Sequence, residues 1–109
     1  MSRIMAHRGA RNLWAENSLL GFRKILEHGF EAVEFDVHLT DAGELVVIHD
    51  ATLERTTDGT GPVRNLRPED RRRLRLRGPD GQLIDECPPT LEDVLAVIAT
   101  DPAIEPWVE

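Results

Sequence analysis

Ala32-Val33-Glu34-Phe35-Asp36-Val37-His38-Leu39 is the stretch that decides the fold, with Leu45-Val46-Val47-Ile48 close behind it. Val33, Phe35 and Val37 alternate with Glu34, Asp36 and His38, and strict alternation is the mark of a β-strand. Thr40-Asp41-Ala42-Gly43 supplies turn residues, and the wholly apolar run that follows predicts a second strand, stopping at His49-Asp50. Towards the N-terminus, Arg3-Ile4-Met5-Ala6 reads as a strand ending at His7-Arg8-Gly9. Between the two lies a helix over 18–28, with Leu19, Phe22, Ile25 and Leu26 on one stripe. Asn17 is its expected N-cap and Gly29 its C′ residue. Towards the C-terminus, Thr56-Thr57-Asp58-Gly59-Thr60-Gly61-Pro62 is rich in helix and strand breakers. Pro68 suits the first turn of a short helix over 68–74, and Gly78-Pro79-Asp80-Gly81 is another turn. Residues 51–86 therefore read as an excursion between two elements of a larger scaffold. Thr90 caps a helix over 91–99, with Asp93 placed for a capping box, and Trp107-Val108-Glu109 opens one more strand. The order is that of an α/β chain.

Composition narrows the classes. The chain has 109 residues, 40% hydrophobic and 30% charged, which fits one modest globular domain. A single cysteine, Cys87, excludes an internal disulfide and argues against a cysteine zinc site. No apolar run reaches the roughly 20 residues of a membrane span. The start of the chain, Met-Ser-Arg-Ile-Met-Ala-His, has no secretory pattern, so a cytoplasmic location is the expectation. A formal net charge of −7 opposes nucleic acid and anionic membranes as partners. An anionic substrate would need a local reversal of that field, which a bound divalent cation provides.

The polar face of the first-quoted strand has two readings. It is a wet face of a half-buried sheet, or Glu34 and Asp36, two residues apart on one side, share a hard cation. The histidines weigh towards the second. His7 and His49 each follow an apolar strand directly, and in α/β scaffolds ligands gather at the carboxyl ends of strands. Imidazoles there suit acid–base work near neutral pH. His28, at a helix end, favours the helix dipole, and His38 is left open between a structural and a site role, with the structural one favoured.

In sequence order, His7-Arg8-Gly9, Glu16-Asn17-Ser18, Glu34-Phe35-Asp36-Val37, His49-Asp50, Leu53, Arg55-Thr56-Thr57 and Pro89-Thr90-Leu91-Glu92-Asp93-Val94-Leu95 together resemble the glycerophosphodiester phosphodiesterase family. The matches cover nearly the whole chain. Ala15 stands where the family usually has Pro and Ser18 where it usually has Thr; serine keeps the capping chemistry.

The resemblance implies the N-terminal part of a (β/α)8 TIM barrel of the phospholipase-C-like phosphodiesterase type. Residues 1–109 would form a partial domain with a small insertion after an early strand, at about 51–86. It implies metal-dependent hydrolysis of small-molecule glycerophosphodiesters to an alcohol and glycerol 3-phosphate, a step in lipid metabolism. His7 and His49 resemble the acid–base pair, Arg8 a phosphate contact, and Glu34 and Asp36 two ligands of a calcium or magnesium ion. Trp107-Val108-Glu109 resembles the approach to the third ligand, which makes Glu109 the candidate for it. A full barrel of this kind needs about 250 residues, so the chain reads as an incomplete barrel whose activity alone is in doubt. Two alternatives keep the fold: a lysophospholipase D or sphingomyelinase D-like phosphodiesterase, and a non-catalytic truncated binding module. Arg67, Arg71, Arg72, Arg73, Arg75 and Arg77 read either as a solvated face paired with Glu69 and Asp70, or as a weak contact for anionic lipid.

Overall fold

The computed structural model describes residues 5–7, 14–29, 32–100 and 105–108, with no side-chain description for 5–7, 105 and 107. Arg8 and Glu109 lie outside the described residues, as do Arg3 and Ile4 of the first expected strand.

Three strands run parallel: β1 (Met5–His7), β2 (Ala32–Phe35) and β5 (Glu105–Val108), in the order β1-β2-β5. Helix α1 (Leu19–His28) connects the first pair, and α3 (Leu91–Ile98) precedes β5. Strands are thus added one after another on the same side, as in a barrel, rather than reversing from the middle as in a doubly wound sheet. One core explains the layering. Phe22 and Ile25 of α1, Val33 and Phe35 of β2, and Val94 and Ile98 of α3 pack together, with Phe22 edge-on to Phe35 at 5.4 Å between ring centroids. Both helices therefore cover the face of β2 that carries Val33 and Phe35. Glu34 points to the opposite face and is only 5% exposed, so the wet-face reading fails there.

The expected strand 32–39 is broken. Asp36 separates β2 from β3 (Val37–Leu39), which forms a separate antiparallel hairpin with β4 (Leu45–Val47). Val37 still packs against the main core, so the alternation survives the break. Within the apolar run 45–48, Leu45 is exposed and the other three are explained by burial on both sides. Val47 joins the α1/α3 core, whereas Val46 and Ile48 join a second cluster with Leu53, Val63 and Leu66. That second cluster anchors residues 51–86, which include a 3-10 turn at Val63–Asn65 and helix α2 (Pro68–Arg73), with Pro68 in its first turn. The chain then returns to where it left: Val47 N–H donates to Pro89 O at 2.9 Å, and Val46 bridges Thr90.

Capping differs from expectation at one end of α1. Ser18, not Asn17, is the N-cap, its hydroxyl accepting from Gly21 N–H at 2.9 Å. Asn17 is buried with φ +56°, a left-handed conformation that asparagine tolerates better than most residues. Gly29, at φ +74°, ends the helix as expected. The capping box at Thr90 and Asp93 is present in full.

Candidate active site

The parallel register sets the site. His7 of β1 is the Cα partner of Glu34 in β2, and Glu34 in turn faces Trp107 of β5. Three neighbouring strands thus bring these positions level near their carboxyl ends, and Glu109 follows directly after the last described residue of β5. One residue past β2, Asp36 holds the hairpin: its backbone carbonyl accepts from Ile48 N–H at 3.1 Å, which closes the hairpin and delivers His49 beside it. The His49 ring lies with Nε2 3.9 Å from Asp36 Oδ2. His38 Nε2 sits 3.0 Å from the His49 carbonyl oxygen, a bond to the backbone that favours the structural reading of His38. His28 occupies the last turn of α1 and stacks on Trp14 at 5.6 Å.

His49 is not held by its neighbour in the hairpin alone. Its Nδ1 lies 3.0 Å from Asp50 Oδ1. Arg55 donates from Nε to Asp50 Oδ2 at 2.7 Å and from Nη2 to Asp50 Oδ1 at 3.0 Å. The same guanidinium donates to both oxygens of Glu16, at 3.1 and 2.8 Å. These bonds from Arg55 hold the Asp50 carboxyl well below the usual carboxylate range; burial opposes that shift and the bond to His49 adds to it. The Arg55 guanidinium is pushed further up by Asp50 and then by Glu16. The Asp50–Arg55 pair is therefore ionic at any physiological pH.

The carboxylates suit a hard cation. Glu34 is almost wholly buried, and the buried Asp36 Oδ2 accepts no hydrogen bond from the described residues. A desolvated carboxylate oxygen left in that state is costly, and an oxygen-coordinated divalent ion would remove the cost. Among the described residues, no group of three potential ligands is gathered, and the expected third, Glu109, lies outside them. Of the residues expected at the strand ends, Asp36 and His49 are brought together and His7 stands level with Glu34. Glu16, Asp50 and Arg55, which stand inside the motifs quoted above with no task assigned to them there, join His49.

The arginine-rich stretch divides. Arg71 is buried against Glu44 and Pro88 O, Arg77 Nε donates to Thr57 O, and Arg75 pairs with Asp85 and with carbonyls of Arg72 and Leu74. Arg67 pairs with Glu69 rather than standing free. Arg72 and Arg73 are exposed. The solvated-face reading therefore misses Arg71, and a lipid contact would have to rest on Arg72 and Arg73. On the lipid reading, binding to anionic vesicles at low ionic strength would weaken in R72A/R73A, with the difference gone at about 0.15 M salt; no binding, or binding that ignores the double substitution, removes the lipid contact altogether.

Comparison with known proteins places this geometry. The family model described as "Glycerophosphoryl diester phosphodiesterase family" matches residues 7–106. A glycerophosphodiester phosphodiesterase of Caldanaerobacter subterraneus subsp. tengcongensis is 38% identical over 96 residues, covering 87% of this chain and 40% of that protein. The crystal structure of a glycerophosphodiester phosphodiesterase from Agrobacterium tumefaciens superposes with a TM-score of 0.88 at 32% identity, over 99% of this chain and 46% of that one. An Oleispira antarctica phosphodiesterase in complex with the product sn-glycerol-3-phosphate gives a TM-score of 0.84 at 29% identity, over 100% of this chain and 45% of that one. These neighbours are TIM-barrel enzymes, and the chain spans less than half of each, an incomplete barrel.

Proposed function

This chain belongs to the glycerophosphoryl diester phosphodiesterase family, and on that footing we propose that it carries the early-strand half of a site hydrolysing glycerophosphodiesters to an alcohol and glycerol 3-phosphate. The observation that carries the reading is the approach of His49 to Asp36, just past the end of β2, with His7 level with Glu34 in the parallel register.

Glu34 and Asp36, joined by Glu109, would hold a divalent cation, calcium or magnesium, which when bound neutralises phosphoryl oxygens and polarises phosphorus. Arg8, next to His7, binds a non-bridging oxygen by charge-assisted bonds. His49 is the better defined of the two histidines. With Nδ1 donating to Asp50, its Nε2 carries the lone pair on the side of Asp36, where it takes or returns a proton. His7 performs the complementary transfer. The attacking group and the leaving alkoxide each need one such partner, because a phosphodiester is cleaved mainly by positioning and charge stabilisation. Residues 51–86 act as the insertion that packs beside this mouth, through the cluster shared by Val46, Ile48 and Leu53.

The full-length protein carrying this chain is expected to turn over glycerophosphocholine in preference to lysophosphatidylcholine, and to lose that activity in EDTA with recovery on adding calcium or magnesium. Asp36→Asn should cut metal affinity by about tenfold or more, read by calorimetry without any substrate. Turnover that resists the chelator would sink the metal reading; preference for the lysolipid would move the assignment to the lysophospholipase D class.

A further inference from the structure

We propose that Arg55, gripped by Glu16, is a positioning residue that fixes the imidazole of His49 through Asp50. The proposal rests on the reading of His49 as a proton-transfer residue. Its physical basis is the number of constraints placed on one small carboxylate. Asp50 is a quarter exposed and its neighbour His49 two-fifths exposed, so both side chains reach water. A lone aspartate in that setting would rotate and share its oxygens with water. Here both oxygens are pinned by the planar fork of Arg55, and Oδ1 also accepts from His49 Nδ1–H. A carboxylate that cannot rotate admits one ring orientation and one tautomer, with the proton on Nδ1 and the lone pair on Nε2.

Arg55 itself needs an anchor, since its side chain is half exposed. Glu16 provides it. That carboxylate is 6% exposed and reaches Arg55 across 39 positions of sequence, from the loop before α1. The turn carrying His49 is thereby tied to the loop that follows β1 and His7. Lysine cannot replace Arg55, because a single ammonium lacks the fork that satisfies two carboxylates in one plane.

The experiment uses the full-length protein. In Arg55→Ala, kcat is expected to fall about 10- to 100-fold while KM moves less than about twofold; Arg55→Lys should recover little. A cleft of about 400 Å³ lined by Glu16, Arg55 and Thr56 opens onto the place the guanidinium leaves. Millimolar guanidinium should therefore restore part of the R55A rate where sodium chloride of equal ionic strength does not. In Asp50→Asn, adding R55A should cost less than about twofold more, since Arg55 then has nothing left to transmit. Losses that multiply in the double variant overturn the proposal. Nitrogen chemical shifts of the His49 ring give a readout independent of turnover: a single Nδ1–H tautomer in the parent protein, a mixture in R55A. An unchanged tautomer in R55A also overturns it. Should R55A not fold, Glu16→Gln carries the same two measurements with the side-chain shape kept. A protein that shows the tautomer change yet cleaves no glycerophosphodiester would refute the proposed function and leave the positioning role standing.

Discussion

Turnover of glycerophosphodiesters is expected to fall about a thousandfold or more when His49 becomes alanine, the range lost when a positioned acid–base group is removed. The ring is two-fifths exposed and lies outside both hydrophobic clusters, so the fold should hardly notice its loss. Unfolding free energy should change by less than about 0.5 kcal/mol, as for most surface substitutions. Metal affinity should also survive, because Glu34 and Asp36 keep their places on β2 and the start of the hairpin. The three measurements together, steady-state kcat, thermal unfolding and metal titration, separate a lost proton-transfer group from a damaged site. A variant retaining more than about a tenth of the parent rate would remove His49 from the chemistry.

Arg71→Ala should do the reverse, leaving the chemistry and weakening the fold. Arg71 is 6% exposed, bonds both oxygens of Glu44 at 2.9 and 3.2 Å, and donates to Pro88 O at 3.0 Å. Breaking a buried ion pair from one side costs about 3–5 kcal/mol, because the partner charge stays behind. Glu44 keeps a fifth of its side chain in water, which reduces that penalty. A loss of about 2–3 kcal/mol is the expected result, enough to lower Tm by roughly 10 °C or more in a domain of this size. Replacing Arg72, one position on and exposed, should change stability by less than about 0.5 kcal/mol. Equal effects at the two positions would mean that the Glu44–Arg71–Pro88 contact is not what holds the excursion down.

The element order was readable because each signal is local. The Thr90-Leu91-Glu92-Asp93 cap, the stripe of Leu19, Phe22 and Ile25, and the alternation around Glu34 each need only a few adjacent residues. The break at Asp36 was not readable, for a particular reason. Val33, Phe35 and Val37 all face the same pair of helices, so the pattern runs on through the point where β2 leaves its parallel neighbours and the hairpin begins. Only the partners of a strand reveal that it has changed sheets. Asn17 and Ser18 both have capping chemistry, and their order was settled by which backbone turned left-handed. Arg71 looked like one more charge in a solvated run because its partner Glu44 lies 27 positions away. Arg55 and Glu16 were hidden by the same distance effect. In the site, residue types at strand ends were legible; the contacts that orient them are long-range and were not.

The excursion leaves from the end of β4 and comes back to hydrogen-bond with that same strand, so its two ends are stitched together at Val47 and Pro89. Closing a loop at a fixed mouth makes extra length entropically cheap, about 0.6 kcal/mol for each doubling. Residues 51–86 can therefore be regarded as an exchangeable cassette, open to lengthening or replacement without disturbing the barrel strands. The exchange has one condition. The cassette reaches inward with two arginines, Arg55 towards the histidine and Arg71 towards the hairpin, and any substitute must bring its own pair of hands.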